Sequence, residues 1–342
     1  MTTIRDIAAE AGFSVSTVSR VLAGHPDVSG TTSAAVQAVI DKHHFVVNRN
    51  ARNLKRGDTL AILVMVKGRY NMLFATMLEH VQTAVTASGH SVVTQYIDED
   101  SDEVAEAERL VAEVKPCGAI FLGGSESNMI SSAKRIGPQC PAVVLTNSVA
   151  KAGREGVSSV TTDDTAAAYM AIRFLLTCGH TRVGVIGGDP SLSPIALHRQ
   201  AGVVQAMAER GLPFDTRSHY IGTHFTLQCG YEATFQLLDA HPDITAIYAM
   251  SDIMALGALR ALHERHLDVP GEISLIGHDG IELASYVVPK LVTIRQPQRV
   301  IAQNGVEILL RHLAGDLTPV EQLVPVSVVE GESVRPYQQN QT

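Results

Sequence analysis

The chain of 342 residues has no tryptophan, few cysteines and no long apolar run, and each absence excludes a kind of site or protein. Without tryptophan, no indole ring can form a stacking platform for a ligand. The four cysteines lie far apart and fit no metal-binding spacing, which favours buried free thiols in a reducing cytoplasm. No apolar signal-peptide core begins the chain, and no segment reaches the roughly 20 apolar residues of a membrane span. The sequence therefore predicts a cytoplasmic protein that does not contact a membrane.

The motifs of common enzyme and cofactor classes are also missing. No pair of glycines forms part of a dinucleotide fingerprint or a P-loop, and no Ser–His–Asp or Cys–His arrangement can be assigned. We therefore predict no catalytic residue, no metal site and no cofactor, and we expect that the protein is not an enzyme.

Charge is distributed unevenly along the chain. The net charge is −8, yet residues 42–56 contain five lysines and arginines and no acidic residue. A local basic segment on an acidic body suits a protein that binds phosphate with one part only.

The length exceeds one typical domain, and the hydrophobic content of 45% is enough for sizeable cores.

The first segment with a recognisable pattern runs from Ile4 to Leu22 and contains two short amphipathic stretches around Gly12. This pattern predicts a helix-turn-helix, in which the turn favours a residue tolerant of positive φ. An ordinary helical hairpin is the alternative. The second helix would expose four side chains: Val15, Ser16, Thr17 and Arg20. A third helix is predicted over Thr32–His43 from the spacing of its apolar residues.

From Leu60 onward, short apolar runs alternate with amphipathic stretches of helical length. Such alternation predicts an α/β fold with doubly wound parallel sheets, and the length of the region predicts two lobes with a cleft between them. In open sheets of this kind a ligand lies beyond the carboxyl ends of the strands. Glycine-containing segments such as Gly187–Asp189 and Gly277–Asp279 end several predicted strands, so we expect the site there.

Several short motifs occur in an order that resembles the lactose-repressor (LacI/GalR) family of bacterial transcription regulators, over essentially the whole chain. They comprise the opening segment 3–29, the spacing of Asn48, Ala51 and Leu54, the segment Cys178–His180, the pair His198–Arg199 with Gly202, and the segments Ser251–Gly257, Ile276–Asp279 and Thr293–Pro297.

The resemblance implies a division into a headpiece, a hinge and a core. The helix-turn-helix headpiece would span residues 1–47 and the hinge helix residues 48–58. The effector-binding core, residues 59–340, would resemble a periplasmic sugar-binding protein. Its first lobe would comprise about residues 59–161 and 293–323, and its second about residues 162–292 and 324–338.

The resemblance also implies which residues contact DNA. Val15, Ser16 and Arg20 would approach base edges in the major groove, while Thr3, Ser14, Thr17 and Ser19 would hold phosphates. Asn48, Ala51 and Leu54 match the hinge helix, whose leucine would wedge into the minor groove. The alternatives are a surface cation for Arg20 and an exposed linker leucine for Leu54. Val47 departs from the family because many members have proline there.

For the effector, the resemblance implies that Arg199 and Asp279 chelate hydroxyl groups. Phe225 would stack on the ligand, Leu73 and Phe74 would form a wall, and Asp163, Asp164, Ser251 and Asp252 would lie beside the ligand. Helix capping is the alternative for Asp163, Asp164 and Asp252, and a place in the core is the alternative for Phe225. Ser251 replaces an asparagine that is common in the family.

These expectations combine into a sequence-specific DNA-binding transcriptional regulator. It would bind a pseudo-palindromic operator as a homodimer, associated with the nucleoid, and repress carbohydrate-utilisation genes. A mono- or disaccharide bound between the lobes would weaken or strengthen its binding to the operator. A nucleobase effector, a co-repressing effector and further pairing of dimers stay open. The alternative function is a cytoplasmic sugar-binding or sugar-modifying α/β protein with a fused headpiece.

Overall fold

The computed structural model describes residues 4–22, 28–43, 60–68, 71–98, 101, 103–124, 128, 131, 135–136, 140–149 and 156–337. The chain divides into two compact units, residues 1–59 and residues 60–342. The described part of the first unit is helical, and the second unit alternates strands and helices. The predicted α/β class with a helical headpiece is therefore confirmed.

The first unit contains α1 (Ile4–Ala11), α2 (Val15–Leu22) and α3 (Gly30–Lys42). The three helices share a small apolar core of Ile7, Ala8, Val18, Val36 and Ile40. Gly12, in the turn between α1 and α2, has a φ of 73°, as the predicted turn requires. Helix α3 begins two residues earlier than predicted because the Ser29 hydroxyl caps it by accepting from the Thr32 N–H.

The second unit follows the predicted alternation of strands and helices. In chain order its elements are β1 (Ala61–Lys67), α4 (Met72–Ala87), β2 (Ser91–Ile97), α5 (Glu103–Val114), β3 (Gly118–Leu122), β4 (Ala142–Leu145), β5 (Val157–Thr161), α6 (Asp164–Thr177), β6 (Val183–Gly188), α7 (Pro194–Ala208), β7 (Tyr220–Thr223), α8 (Leu227–Ala240), β8 (Ala246–Ala249), α9 (Asp252–Glu264), β9 (Ser274–Asp279), β10 (Val292–Arg295), α10 (Gln298–Leu313), β11 (Glu321–Leu323) and β12 (Ser327–Val329).

The strands form two six-stranded sheets. The first has the order β11-β5-β4-β3-β1-β2 and is parallel throughout. The second has the order β12-β10-β9-β8-β6-β7 and is parallel except for β12 at its edge. Alternate strand residues pack on opposite faces, so α5 covers one face of the first sheet while α4 and α10 cover the other. In the second sheet α6 and α7 lie opposite α8 and α9.

Three segments cross between the sheets: residues 162–163 after β5, residues 296–297 after β10, and residues 324–326 after β11. The second crossing corrects a predicted boundary, since residues 293–323 were assigned to the first lobe. Thr293–Arg295 belong to the second sheet because they continue the parallel ladder with β9, in which Arg295 lies opposite Asp279. The chain therefore leaves the second lobe directly beside Asp279.

Close packing of α6 on α7 yields a prediction for Gly202. A Cβ atom at this position would overlap the Thr165 carbonyl oxygen and lie 2.9 Å from the Tyr169 nitrogen. Gly202→Ala should therefore lower the free energy of unfolding by roughly 1–3 kcal/mol, measured by urea denaturation. Ala201→Ser, on the exposed side of the same helix, is the control and should change it by only about 0.5 kcal/mol. Equal stability of Gly202→Ala and the unsubstituted protein would contradict this packing.

Candidate functional site

A cleft of about 600 Å³ lies at the carboxyl ends of the strands of both sheets. This is where ligands bind in open α/β sheets, and the volume suits a small molecule. Both lobes contribute to its lining. The residues at strand ends are Lys67, Gly123, Thr146, Thr161, Gly188, Thr223 and Asp279. Eight of the nine predicted effector residues also line it: Leu73, Phe74, Asp163, Asp164, Arg199, Phe225, Ser251 and Asp279.

Arg199 is the buried cation of the cleft. Helix α7 carries it, and only 4% of the residue is exposed. Its Nε donates to Asp164 Oδ1 at 2.7 Å, and a terminal nitrogen donates to the Met250 carbonyl. The other terminal nitrogen lies 4.0 Å from Asp279 Oδ1. Burial opposes the charge, but the two carboxylates outweigh it and raise the pKa of Arg199, so the guanidinium stays charged.

Asp279, the last residue of β9, is held in an unusual backbone conformation. Its φ is 112°, a region that side-chain-bearing residues rarely adopt, and Gly280 follows with a φ of 69°. Gln296 Nε2 donates to Asp279 Oδ1 at 2.8 Å, and Gln298 Nε2 donates to the Asp279 carbonyl at 3.0 Å. Burial raises the pKa of Asp279, and the nearby Arg199 only partly offsets it. The contacts around this residue thus fix its carboxylate at the cleft.

Adjacent aspartates at the start of α6 have different roles. Asp163 is the N-cap, as its capping alternative proposed, and accepts from the Ala166 N–H at 2.9 Å. Asp164 does not cap the helix; it is buried and pairs with Arg199. Burial raises the pKa of Asp164, with the Arg199 charge acting in the opposite direction.

Asp252 is where the structure corrects the predicted site. It does not line the cleft, and the N-cap of α9 is Ser251, which accepts from the Met254 N–H. Asp252 is fully buried, and its two oxygens accept from Thr293 Oγ1 at 2.6 Å and from the Ile281 N–H at 2.9 Å. Its side chain lies against Gly277, where a Cβ atom would overlap it. Asp252 therefore fixes the loop after Asp279 by accepting from the Ile281 N–H, on the side of the loop away from the cleft.

The apolar walls come from both lobes. Leu73 and Phe74 lie in the first turn of α4, whose N-cap is Asn71. Phe225 lines the cleft and also packs against the cores, so the ligand-wall and core interpretations both describe it. Leu192 lies at the rim with 72% of its surface exposed.

Sequence reasoning missed five buried polar residues of the cleft: Thr146, Asn147, Thr161, Thr162 and Gln296. Thr146 has a φ of 78°, which is rare for a β-branched residue, and its buried hydroxyl has no hydrogen-bond partner among the described residues. Gln296 Oε1 accepts from Thr162 Oγ1 at 3.4 Å while Gln296 Nε2 holds Asp279. The signal for Thr146 was its position at the end of an apolar run, where a strand would end. Gln296 belonged to a motif of the resemblance but carried no assigned role.

On the first unit, three of the four side chains predicted to be exposed on α2 are exposed, and their contact with DNA stays a prediction. Val15, Ser16 and Arg20 are exposed, whereas Thr17 and Ser19 are half-buried. Ser14 caps the helix by accepting from the Thr17 N–H at 3.1 Å. Thr3, Asn48, Ala51 and Leu54 lie outside the described residues.

Within the described ranges, no group of three or more histidine, cysteine or acidic side chains could hold a metal ion. None of the helices in those ranges is both long enough and apolar enough to cross a membrane.

Comparison with known proteins covers both units. Residues 3–48 match the model for bacterial regulatory proteins of the lacI family, and residues 172–334 match the periplasmic binding protein-like domain. The HTH-type transcriptional regulator MalR of Clostridium butyricum is 32% identical over 334 residues, which is 96% of this chain and 98% of that protein.

Two solved structures are similar at 26% identity. A lac repressor dimer bound to operator and the anti-inducer ONPF has a TM-score of 0.83 and covers 98% of this chain and 99% of its own. A complex of the transcriptional regulator CelR with cellobiose has a TM-score of 0.71 and covers 97% of this chain and 100% of its own.

The buried carboxyls predict a pH dependence of stability. Burial raises the pKa of Asp252, and the neighbouring Asp279 raises it further. Above the ordinary aspartate pKa of about 3.9 the folded protein then binds more protons than the unfolded chain, so stability decreases as pH rises toward neutrality. Asp252→Asn should reduce this slope by up to about 1.4 kcal/mol per pH unit, measured by urea denaturation across pH 4–8.

The matched control for this slope is Asp243→Asn, because the side chain of Asp243 is 68% exposed. That variant should follow the slope of the unsubstituted protein. Equal slopes for Asp252→Asn and Asp243→Asn would show that Asp252 does not carry an extra proton in the folded state.

Proposed function

The chain belongs to the lacI family of bacterial regulatory proteins, and from that premise we propose that it is a sequence-specific transcriptional repressor of carbohydrate-utilisation genes, controlled by a sugar in its cleft. The observation that carries this proposal is the occurrence, in one chain, of an exposed helix-turn-helix surface and a cleft whose buried arginine lies between two carboxylates. We assign no catalytic residue. The site of action would be the cytoplasm, where operator DNA is found.

Operator reading would depend on α2. Arg20 can donate two hydrogen bonds to the O6 and N7 atoms of guanine, and Val15 and Ser16 would contact neighbouring base edges. The hydroxyls of Thr3, Ser14, Thr17 and Ser19 would bind phosphates and fix the register without selecting the sequence. The exposure of Val15, Ser16 and Arg20 supports this arrangement.

The active species would be a homodimer on a pseudo-palindromic operator. The dimeric lac repressor complex supports this by its similarity over nearly the whole chain. Asn48, Ala51 and Leu54 would form the hinge helix, with Leu54 wedged into the minor groove beside the partner's equivalent leucine. A single leucine pair can kink the duplex there and so increase its contact with the protein.

Effector binding would use the described cleft. Arg199, Asp164 and Asp279 present charged hydrogen-bonding groups to vicinal hydroxyls, and Phe225 offers an aromatic face. The cellobiose complex of the similar regulator CelR supports a sugar as the ligand class. Ser251 would contribute its hydroxyl only weakly, since that oxygen already caps α9.

Coupling between the sites would run through the crossing segments. Gln296 in one crossing bonds both Asp279 and Thr162, and Thr162 lies in another crossing. In the third crossing, the Val324 N–H donates to the Thr161 carbonyl at 2.8 Å. A sugar that changes the contacts of Asp279 would therefore change how the lobes are held. If the sugar weakens operator binding, the operator must weaken sugar binding by the same factor.

The DNA-reading role of Arg20 is testable with Arg20→Met, which removes the guanidinium and keeps an extended side chain. Its preference for the operator over non-specific DNA should fall at least about tenfold in gel shifts at physiological salt, because a bidentate base contact is lost. The probe is DNA upstream of the protein's own and neighbouring genes. The control is Arg217→Met, whose side chain is 90% exposed on the core. Unchanged preference in Arg20→Met would reject the assignment of α2.

The sugar-binding role of Asp279 is testable with Asp279→Asn. A thermal-shift screen first identifies the sugar that stabilises the unsubstituted protein most. Its Kd should then rise at least about tenfold in the variant, since a charge-assisted hydrogen bond is lost, while operator binding without sugar is retained. Asp243→Asn again serves as the control. A variant that binds the sugar with full affinity would show that the cleft assignment is wrong.

A further inference from the structure

The charges of the cleft point to the class of effector. We infer that the cleft accepts uncharged polyols and rejects anionic ones, so that sugar phosphates and sugar acids are excluded as effectors. This inference rests on the proposed function, because it concerns the ligand of the same site. Three independent features of the cleft support it: the charge of the lining, the engagement of its buried cation, and the capping of the helices that begin there.

Carboxylates outnumber cations in the described lining. Five acidic residues face two permanent cations, Lys67 and Arg199, and two histidines, His198 and His224, also line the cleft. The acidic residues are Asp163, Asp164, Asp189, Asp279 and Glu321. Even with both Asp164 and Asp279 protonated, the three carboxylates of Asp163, Asp189 and Glu321 outnumber the two cations Lys67 and Arg199. The cleft therefore repels an anion, and its low-dielectric walls strengthen that repulsion.

The buried cation is already engaged. Arg199 donates to Asp164 and to the Met250 carbonyl, and its remaining terminal nitrogen faces Asp279. A phosphate that took over this guanidinium would leave Asp164 or Asp279 as a buried carboxylate without its cation, which is strongly unfavourable. A hydroxyl group needs no such exchange, because it can donate to a carboxylate oxygen while the ion pair stays in place.

Helix N-termini could compensate for this repulsion, since their free N–H groups bind phosphates in many proteins. Four helices, α4, α6, α7 and α9, have their N-caps in the lining. In each, the cap side chain already accepts from the N–H of the third helical residue. These bonds join Asn71 to Phe74, Asp163 to Ala166, Ser193 to Ala196 and Ser251 to Met254.

Two of these N-termini are still less suited to an anion. The first residue of α7 is Pro194, which has no N–H to donate. The cap of α6 is itself a carboxylate, that of Asp163, so the positive end of this helix dipole already stabilises an acidic group of the protein.

The polar groups that remain suit hydroxyls. Thr146 is 6% exposed, and its hydroxyl, which has no hydrogen-bond partner in the part of the chain that the structure describes, can both donate and accept. It lies on the first lobe, across the cleft from Asp279 on the second. A neutral polyol can donate to the carboxylates and exchange a hydrogen bond with Thr146, which a phosphate group cannot do without repulsion.

The first experiment compares matched ligands by calorimetry at constant ionic strength. The pairs are glucose with glucose 6-phosphate, galactose with galactose 6-phosphate, ribose with ribose 5-phosphate, and cellobiose with cellobionic acid. For any pair with a detectable sugar, the anionic partner should bind at least about tenfold more weakly. An anionic partner that binds as tightly as its parent sugar, or more tightly, overturns the inference.

Thermal shifts with the same anions test the inference when no neutral sugar of the panel binds. A shift that disappears in Lys67→Met or in Arg199→Met places the anion in the cleft and overturns the inference; Thr146→Val gives a second check if Arg199→Met does not fold. A shift that persists in all three arises outside the cleft and agrees with the inference. If neither sugars nor anions bind, exclusion of anions holds and the sugar-effector proposal fails.

The origin of the discrimination is tested by the double variant Asp189→Asn, Glu321→Gln. Both substitutions remove a negative charge but keep a side-chain oxygen. That oxygen can still accept the hydrogen bond that Asp189 accepts from the Ser191 N–H and the one that Glu321 accepts from the Ser148 hydroxyl. The ratio of the two dissociation constants, anion over parent sugar, should fall about tenfold. The control is Asp215→Asn, on an exposed turn outside the lining, which should leave the ratio unchanged. An unchanged ratio in the double variant would overturn the electrostatic explanation.

Discussion

The buried pairing of Arg199 with Asp164 and Asp279 is the interaction on which the cleft depends. It joins α7 to the start of α6 and the end of β9, three elements that are distant in sequence. A guanidinium removed from water needs these carboxylates, and the carboxylates need the guanidinium. Because each partner would be costly to bury alone, the pairing restricts where the strand ends and helix starts can lie. The site is therefore largely formed before any ligand binds.

The same constraint explains the strained loop after β9. Asp279 has a positive φ, and such a conformation persists only where several contacts fix it. Asp252 and Thr293 accept from the Ile281 and Gly280 N–H groups of the loop, while Gln296 in the crossing and Gln298 at the start of α10 donate to Asp279. The conformation of Asp279 is thus fixed in part by Gln296, a residue of the crossing that connects the two lobes. Ligand contact and lobe arrangement become parts of one network.

Much of this was predictable from sequence, since apolar runs of strand length identified β1, β2, β3, β4, β6, β8 and β9. The shorter or hydroxyl-rich strands β5, β7 and β12 gave no comparable run, because their stability comes from neighbouring strands. Asp279 was predicted because the resemblance and the strand-end rule agreed on it, whereas Arg199 was predicted from the resemblance alone. The role of Asp252 was not predicted correctly, because Ser251 and Asp252 are adjacent polar residues and either could cap α9. Only the folded structure, in which Asp252 packs against Gly277, distinguishes the two roles. The sequence identified Thr146 only as the last residue of an apolar run. That its hydroxyl has no hydrogen-bond partner among the described residues depends on the folded cleft and could not be predicted.

The two lobes offer different chemistry to a ligand, and this difference gives the cleft its regulatory potential. The first lobe presents the Thr146 hydroxyl and the Leu73 and Phe74 wall, whereas the second presents the charged cluster. A ligand bonded to both sides favours lobe arrangements in which both sets of contacts can be made together. Anionic ligands would meet repulsion from the charged side and could not make both sets equally well. Recognition of a neutral polyol and selection of one lobe arrangement then follow from the same contacts.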